Sequence, residues 1–367
     1  MSRLTAALIV RDESRFIEGC LESLSGKADE IVLVDTGSRD DTIEKARRFP
    51  ITLHHFEWCG DFSAARNFAL EQATGDWILY IDADERFEVR EPAMLRDALA
   101  DDTKVAWTLR FHPRVDWTPY AELRLFRNDP RIRFHGAIHE RMHESIDAVM
   151  RADGVETGHC DLAIQHVGYE DDQSRKNPRN IPLLRERLQR DPGHLYSWWH
   201  LGQCLLLAGD AEGAAAAWSS GVAAAARVAA PSRSISDAQS AASLIRLRIE
   251  RGADVTALLR DALELYPSHL SLRWIEATSA LERGDTETAR PVLDMLAGID
   301  PDAFFDRHVA YDKAIFRYLA KEALALCCFR EGRFGEAAQL YRAAASHSPD
   351  REACEIKARL AELRVVA

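Results

Sequence analysis

Five mostly apolar residues, Trp77-Ile78-Leu79-Tyr80-Ile81, run straight into Asp82-Ala83-Asp84-Glu85. An unbroken apolar run of this length reads as a strand buried on both faces, so the carboxylates behind it stand at a polar edge. In continued extended structure Asp82 and Asp84 point to the same side. Two carboxylates aimed at one point repel unless a cation or proton lies between them. The stretch is either a divalent metal site at the C-terminal edge of a parallel sheet, where open α/β sheets bind ligands, or a solvated acidic turn.

What precedes it favours the first. Leu4 to Val10, Glu30 to Asp35 and Ile51 to Phe56 are further candidate strands. After the first, Ile17, Cys20, Leu21 and Leu24 fall at helical spacing, with Asp12 or Ser14 as cap and Gly26 as stop. Helices are expected from about Thr42 to Phe49 and, capped by Asp61 or Ser63, to about Ala73. This β-α-β-α order implies a mainly parallel sheet with helices on its faces. The turns Asp35-Thr36-Gly37-Ser38 and Asp82-Ala83-Asp84 then share one edge and should meet at a crevice. The glycine patterns of a dinucleotide site or a P-loop do not occur.

Lys plus Arg minus Asp plus Glu is 47 − 59 = −12, which argues against broad nucleic-acid binding. The first apolar run is too short for a secretory signal, and no run approaches the ~20 residues that span a bilayer. Seven scattered cysteines without Cys-x-x-Cys point to reduced core thiols and a cytoplasmic protein.

Four blocks, Leu8 to Glu13, Ile31 to Asp40, Ala65-Arg66-Asn67 and Gly75 to Asp84, resemble in order and spacing those of family 2 glycosyltransferases. The resemblance covers about residues 3 to 90. It implies the GT-A fold, a nucleotide-sugar-binding α/β domain, and a nucleotide-diphosphate sugar donor, a UDP-sugar first among them. By this resemblance Asp35 contacts the base, Asp82 the ribose, and Arg66 lines the nucleotide pocket. Asp84 holds Mn²⁺ or Mg²⁺ on the donor diphosphate, a hard cation on oxygen ligands. Arg11-Asp12-Glu13 stands where members commonly carry Pro-x-Tyr-Asn. Asp12, Glu13 and Ser38 therefore join the nucleotide candidates.

Val105 to Phe111, Glu122 to Phe126 and Ile132 to Ile138 are expected as strands extending the sheet in antiparallel fashion. An inverting transfer needs a general base near the acceptor nucleophile. Glu140 is the first candidate and Glu122 the second; the alternative for Glu140 is a surface pair with Arg141 or Arg133. Arg124-Leu125-Phe126-Arg127 and Gly136-Ala137-Ile138-His139-Glu140 also resemble segments of a subgroup of the family. GT-A enzymes often return a late histidine to the metal, which makes His166 the second metal candidate. Ser174-Arg175-Lys176-Asn177-Pro178-Arg179 is either a cover on the diphosphate or a basic linker.

From about Asn180 only helical patterns occur. Trp198, Leu201, Gly202, Leu205, Ala214 and Trp218 fit tetratricopeptide spacing, with turns at Gly209, Gly284 and Gly332. A GT-A domain over 1–175 and an all-α repeat domain over 176–367 are expected. The layout resembles bacterial peptide S-glycosyltransferases of the sublancin type, which implies a peptide or protein acceptor bound through the repeats. A cell-envelope polysaccharide or lipid-linked acceptor is the alternative within the enzyme class. A non-catalytic repeat scaffold is the alternative outside it.

Overall fold

Alternate residues of the central strands feed two cores. Leu4, Ala6, Leu8, Leu33, Trp77 and Leu79 pack on one face of the sheet; Ala7, Val32, Val34 and Ile78 pack on the other. Each buried Leu, Ile or Val among them contributes about 1.5–3 kcal/mol. The computed structural model describes residues 2–168 and 177–366. They fall into two compact units, Met1–Val115 with Tyr120–Pro192, and Asp116–Pro119 with Gly193–Ala367.

In the first unit β1 (Leu4–Val10), β2 (Glu30–Asp35), β3 (Thr52–His55) and β4 (Trp77–Tyr80) pair in parallel, in the order β3-β2-β1-β4. Between them run α1 (Ile17–Leu24), α2 (Thr42–Ala46) and α3 (Phe62–Gln72). The bounds of β1 and β2 match the expectation. α2 stops short of Phe49, because the approach to Pro50 disfavours helix. Asp61 caps α3 by accepting from the Ala64 N–H at 3.2 Å. Neither Asp12 nor Ser14 caps α1, whose first turn instead begins on the Glu13 carbonyl.

The sheet continues through β7 (Tyr120–Arg127), β6 (Lys104–His112), β8 (Glu156–His166) and β5 (Glu85–Glu88), to make eight strands. β7 is antiparallel to β4 and β6, as expected, but β6 and β8 are parallel. α4 (Pro92–Ala100) and α5 (His143–Asp153) complete the layers, and α6 (Asn177–Arg190) follows β8 after the gap in the described residues. Ile132 to Ile138 is not the expected strand. It is a loop with a single bridge between His135 and Arg141, bent by Gly136 at φ 104°.

The second unit pairs helices in sequence: α7 (Leu195–Leu207) with α8 (Ala211–Ala225), α9 (Gln239–Glu250) with α10 (Thr256–Leu265), α11 (Leu270–Glu282) with α12 (Thr286–Ala297), and α13 (Ala320–Arg330) with α14 (Phe334–Ala345). A last helix, α15 (Arg351–Val366), packs on α14. Gly209, Gly284 and Gly332 turn the chain with φ near 80°. His194 and His269, 75 residues apart, each cap the first helix of a hairpin through Nδ1. No described helix is long and apolar enough to cross a membrane.

Candidate active site

β1, β2 and β4 deliver their C-terminal ends to one edge, with β1 in the middle. The turns after β1 and β2 are laced together. Asp35, 6% exposed, accepts from the Ser38 N–H at 3.0 Å. Ser38 Oγ accepts from the Asp12 N–H, and Asp12 Oδ1 accepts from the Arg39 N–H at 2.7 Å. Asp12 has φ 56°, a left-handed conformation that Asp tolerates better than most residues. The Glu13 N–H donates to Thr42 Oγ1. On its open side Asp35 has His55 Nδ1 at 3.4 Å.

β4 ends at Tyr80, so Asp82 and Asp84 lie in a turn and not on extended strand. The Glu85 N–H closes that turn on the Asp82 carbonyl at 3.0 Å. This corrects the expectation that both carboxylates aim at one point: each has its own partner. Arg66 Nη2 donates to Asp82 at 2.9 Å, and Arg66 Nε donates to Glu140. Where a surface pair with Arg141 or Arg133 was the alternative, Glu140 reaches 74 residues back to Arg66 of α3. Burial would raise Asp82, but Arg66 and Arg124 hold its carboxyl below the usual range. Burial alone would also lower Arg66, yet Asp82 and Glu140 keep it firmly charged.

Asp84 Oδ2 lies 3.3 Å from His166 Nε2, with both side chains largely buried. Burial opposes a charge on the imidazole; the Asp84 hydrogen bond and carboxylate outweigh it, and the pKa lies above the ordinary value. His166 Nδ1 faces the Pro113 carbonyl at 3.3 Å, which orients the ring. Gly168 lets the backbone pass close by: a Cβ there would stand 2.3 Å from Asp84 Oδ2. Among the described residues no group of three or more His, Cys, Asp or Glu gathers as a metal cage. A carboxylate and an imidazole fit a divalent cation that takes its remaining ligands from substrate phosphates and water.

Glu85, to which the sequence assigned no role, is 2% exposed and paired bidentately with Arg124 at 2.8 and 3.0 Å. Its Oε2 also accepts from the Asp82 N–H at 2.9 Å. Burial pushes this carboxyl up against the pull of Arg124. Two guanidinium groups approach the Tyr80 ring, Arg66 at 5.0 Å and Arg124 at 4.5 Å from its centroid. Arg66 also lies 5.6 Å from the Phe134 ring, which meets Tyr80 edge-on at 5.2 Å, and Arg124 lies 4.9 Å from the Phe111 ring. Glu122 lies off to one side, accepting from the Tyr120 hydroxyl at 2.9 Å and 3.5 Å from Arg124. The one signal for the Glu85–Arg124 pair was a carboxylate directly after the acidic turn and an arginine inside an apolar strand. Ser174, Arg175 and Lys176 lie outside the described residues, as do the side chains of Asn177, Pro178 and Arg179.

Residues 5–176 match the family model of glycosyl transferase family 2. The N-terminal unit is a family 2 glycosyltransferase domain. Tetratricopeptide repeats match over 172–230, 247–304 and 310–352. This glycosyltransferase domain and the repeats after it have curated relatives. A TPR repeat-containing protein of Synechococcus elongatus is 37% identical over 58% of this chain and 55% of its own length. The SPbeta prophage-derived glycosyltransferase SunS of Bacillus subtilis is 32% identical over 52% of this chain and 46% of its own. The lipopolysaccharide core biosynthesis glycosyltransferase LpsC of Rhizobium meliloti is 32% identical over 39% of this chain and 56% of its own. The chain thus spans about half the length of these relatives.

Proposed function

We propose that the chain transfers a sugar, with inversion, from a nucleotide-diphosphate donor to a peptide or protein. The observation that carries this reading is the Arg66 bridge, which ties Asp82 at the end of β4 to Glu140 at the facing loop. A donor seated on Asp35 and Asp82, with Asp12, Glu13 and Ser38 around it, would have its sugar between that edge and Glu140. Glu140 is the general base: it takes the proton from the acceptor nucleophile as that atom bonds to the anomeric carbon. The bond from that carbon to the diphosphate breaks on the opposite face. Glu122, held by Tyr120 and Arg124, is the second candidate. Asp84 and His166 would hold Mn²⁺ or Mg²⁺, which neutralises charge on the departing diphosphate when bound. A UDP-sugar is the first donor to try.

The acceptor class rests on the repeats and on the resemblance in layout to sublancin-type peptide S-glycosyltransferases. Among the described residues of the second unit, a cleft of about 360 Å³ mixes aromatic and charged walls, with Trp274, Tyr341, Glu322, Arg330 and Lys357. Such a wall suits a polypeptide of mixed charge. The LpsC relative favours a second reading, a saccharide or lipid-linked acceptor of the cell envelope.

The test is the full chain with UDP and Mn²⁺, followed by thermal shift, since a ligand of the native state raises its stability. A shift that needs both UDP and Mn²⁺, and disappears in Asp84→Ala, is expected. Turnover of the donor should fall at least ~10³-fold in that variant, a loss of about 4 kcal/mol in transition-state stabilisation. Wild-type turnover in purified Asp84→Ala would sink the metal assignment. Activity on peptides but not on sugar or lipid acceptors decides between the acceptor classes.

A further inference from the structure

The loop that presents Glu140 holds backbone that side chains rarely adopt: His139 has φ 50° and Gly136 has φ 104°. Its flanks are pinned from within the catalytic domain. Asn67 receives the Phe134 N–H at 2.8 Å and donates to the Phe134 carbonyl at 2.9 Å. The Phe62 N–H donates to the Ala137 carbonyl at 3.0 Å, and His135 and Arg141 exchange backbone hydrogen bonds. These contacts stop at Ala137 on one side and Arg141 on the other.

Between them reaches Arg187 of α6. Its Nη1 donates to the Ile138 carbonyl and lies 3.4 Å from the His139 carbonyl. The guanidinium sits against Gly136, where a Cβ would stand 2.6 Å from Nη1. Both carbonyls face the one nitrogen Nη1, held in direction by the planar guanidinium; a lysine ammonium carries three N–H groups but lacks that fixed plane. α6 begins at Asn177, just past the residues that match the glycosyltransferase family model and inside the first tetratricopeptide match.

We infer that Arg187 is a positioning residue for sugar transfer: by holding the Ile138 and His139 carbonyls it fixes the turn that aims Glu140 at Arg66. This rests on Glu140 as the base. Asp35 accepts from the Ser38 N–H, Asp82 accepts from Arg66 and Asp84 faces His166, so donor binding is expected to survive loss of the Arg187 guanidinium.

Hydrogen exchange, UDP binding with Mn²⁺ and hydrolysis of UDP-glucose, measured on the full chain, test the inference in Arg187→Ala and Arg187→Lys. In Arg187→Ala the amides of residues 134–141 should exchange at least tenfold faster. The Kd for UDP should stay within twofold, and kcat should fall at least tenfold at unchanged KM. Arg187→Lys should recover part of both losses. Unchanged exchange overturns the inference, and so does faster exchange with unchanged kcat. Weakened UDP binding also overturns it, since Arg187 would then serve the donor pocket. A wild type that neither binds UDP nor hydrolyses UDP-glucose defeats the donor reading alone, because exchange still reports whether Arg187 holds the loop.

Discussion

Trp77 and Trp218 are fully buried, one in each unit, and each indole N–H donates to a backbone carbonyl, of Leu99 and Trp199 respectively. Their surroundings differ. Trp77 begins a strand that leads into an acidic turn; Trp218 packs on Gly202 of α7, with small residues along its own helix α8. The buried charged side chains Asp35, Arg66, Asp84, Glu85 and Arg124 all belong to the first unit. In the second, among the described residues, the buried polar ones are Thr118, Ser197, Ser240 and His269. Each buried ion loses several kcal/mol of hydration before its partners compensate. The first unit carries that cost around the ends of β1, β2 and β4, whereas the repeats gain stability from close helix packing.

The largest effect on stability is therefore expected at the Glu85–Arg124 pair. Arg124→Ala would leave a buried carboxylate without its bidentate partner and should cost about 3–5 kcal/mol. Replacing both with apolar residues, as in Glu85→Leu with Arg124→Met, should recover most of that loss. Urea unfolding of the three chains measures it. A cost below about 1 kcal/mol in Arg124→Ala would mean that the edge is no more demanding than a surface pair.

The same contrast explains what could be read from the chain alone. β1 and β2 were legible to the residue because continuous apolar runs have no other place than a sheet covered on both faces. The hairpin turns at Gly209 and Gly284 were legible because a glycine followed by a capping aspartate is a local signal. Ile132 to Ile138 misled because its alternating apolar residues mimic a strand; its burial comes from Asn67 and α3, which no local pattern reveals. β8 was missed as a long strand because its first half, Glu156 to Asp161, is mainly polar and nowhere fully buried. At the site, the residue types were legible and the pairings were not. Arg66 with Glu140, and Glu85 with Arg124, join residues 74 and 39 apart.

A smaller effect separates the units by pH. His269 caps α11 by accepting the Leu272 N–H on Nδ1 at 3.4 Å, and its Nε2 is buried. Burial lowers its pKa to about 4 from the ordinary 6.5, with Asp306 a minor opposing influence. Between those values the unfolded chain binds a proton that the folded chain refuses, so stability falls as pH falls from about 6.5 to about 4. The contribution lost over that window is on the order of 3 kcal/mol. Asn also caps helices, so His269→Asn should keep the cap and flatten this part of the stability–pH curve. Parallel curves for wild type and His269→Asn would remove the histidine from the account.

The smallest effect is expected where the repeats depend on close approach. A Cβ on Gly202 would stand 2.1 Å from the Trp218 indole nitrogen, against a ring that is 1% exposed. Gly202→Ala gains helix propensity of about 1 kcal/mol. Overpacking that forces a large ring to shift costs typically about 1–3 kcal/mol. The two oppose, and the clash should prevail by about 1 kcal/mol, because the ring must also keep its hydrogen bond to the Trp199 carbonyl. Stabilisation in Gly202→Ala, measured by urea unfolding, would show that the helices can separate without loss, and the contrast with the charged edge would then rest on that edge alone.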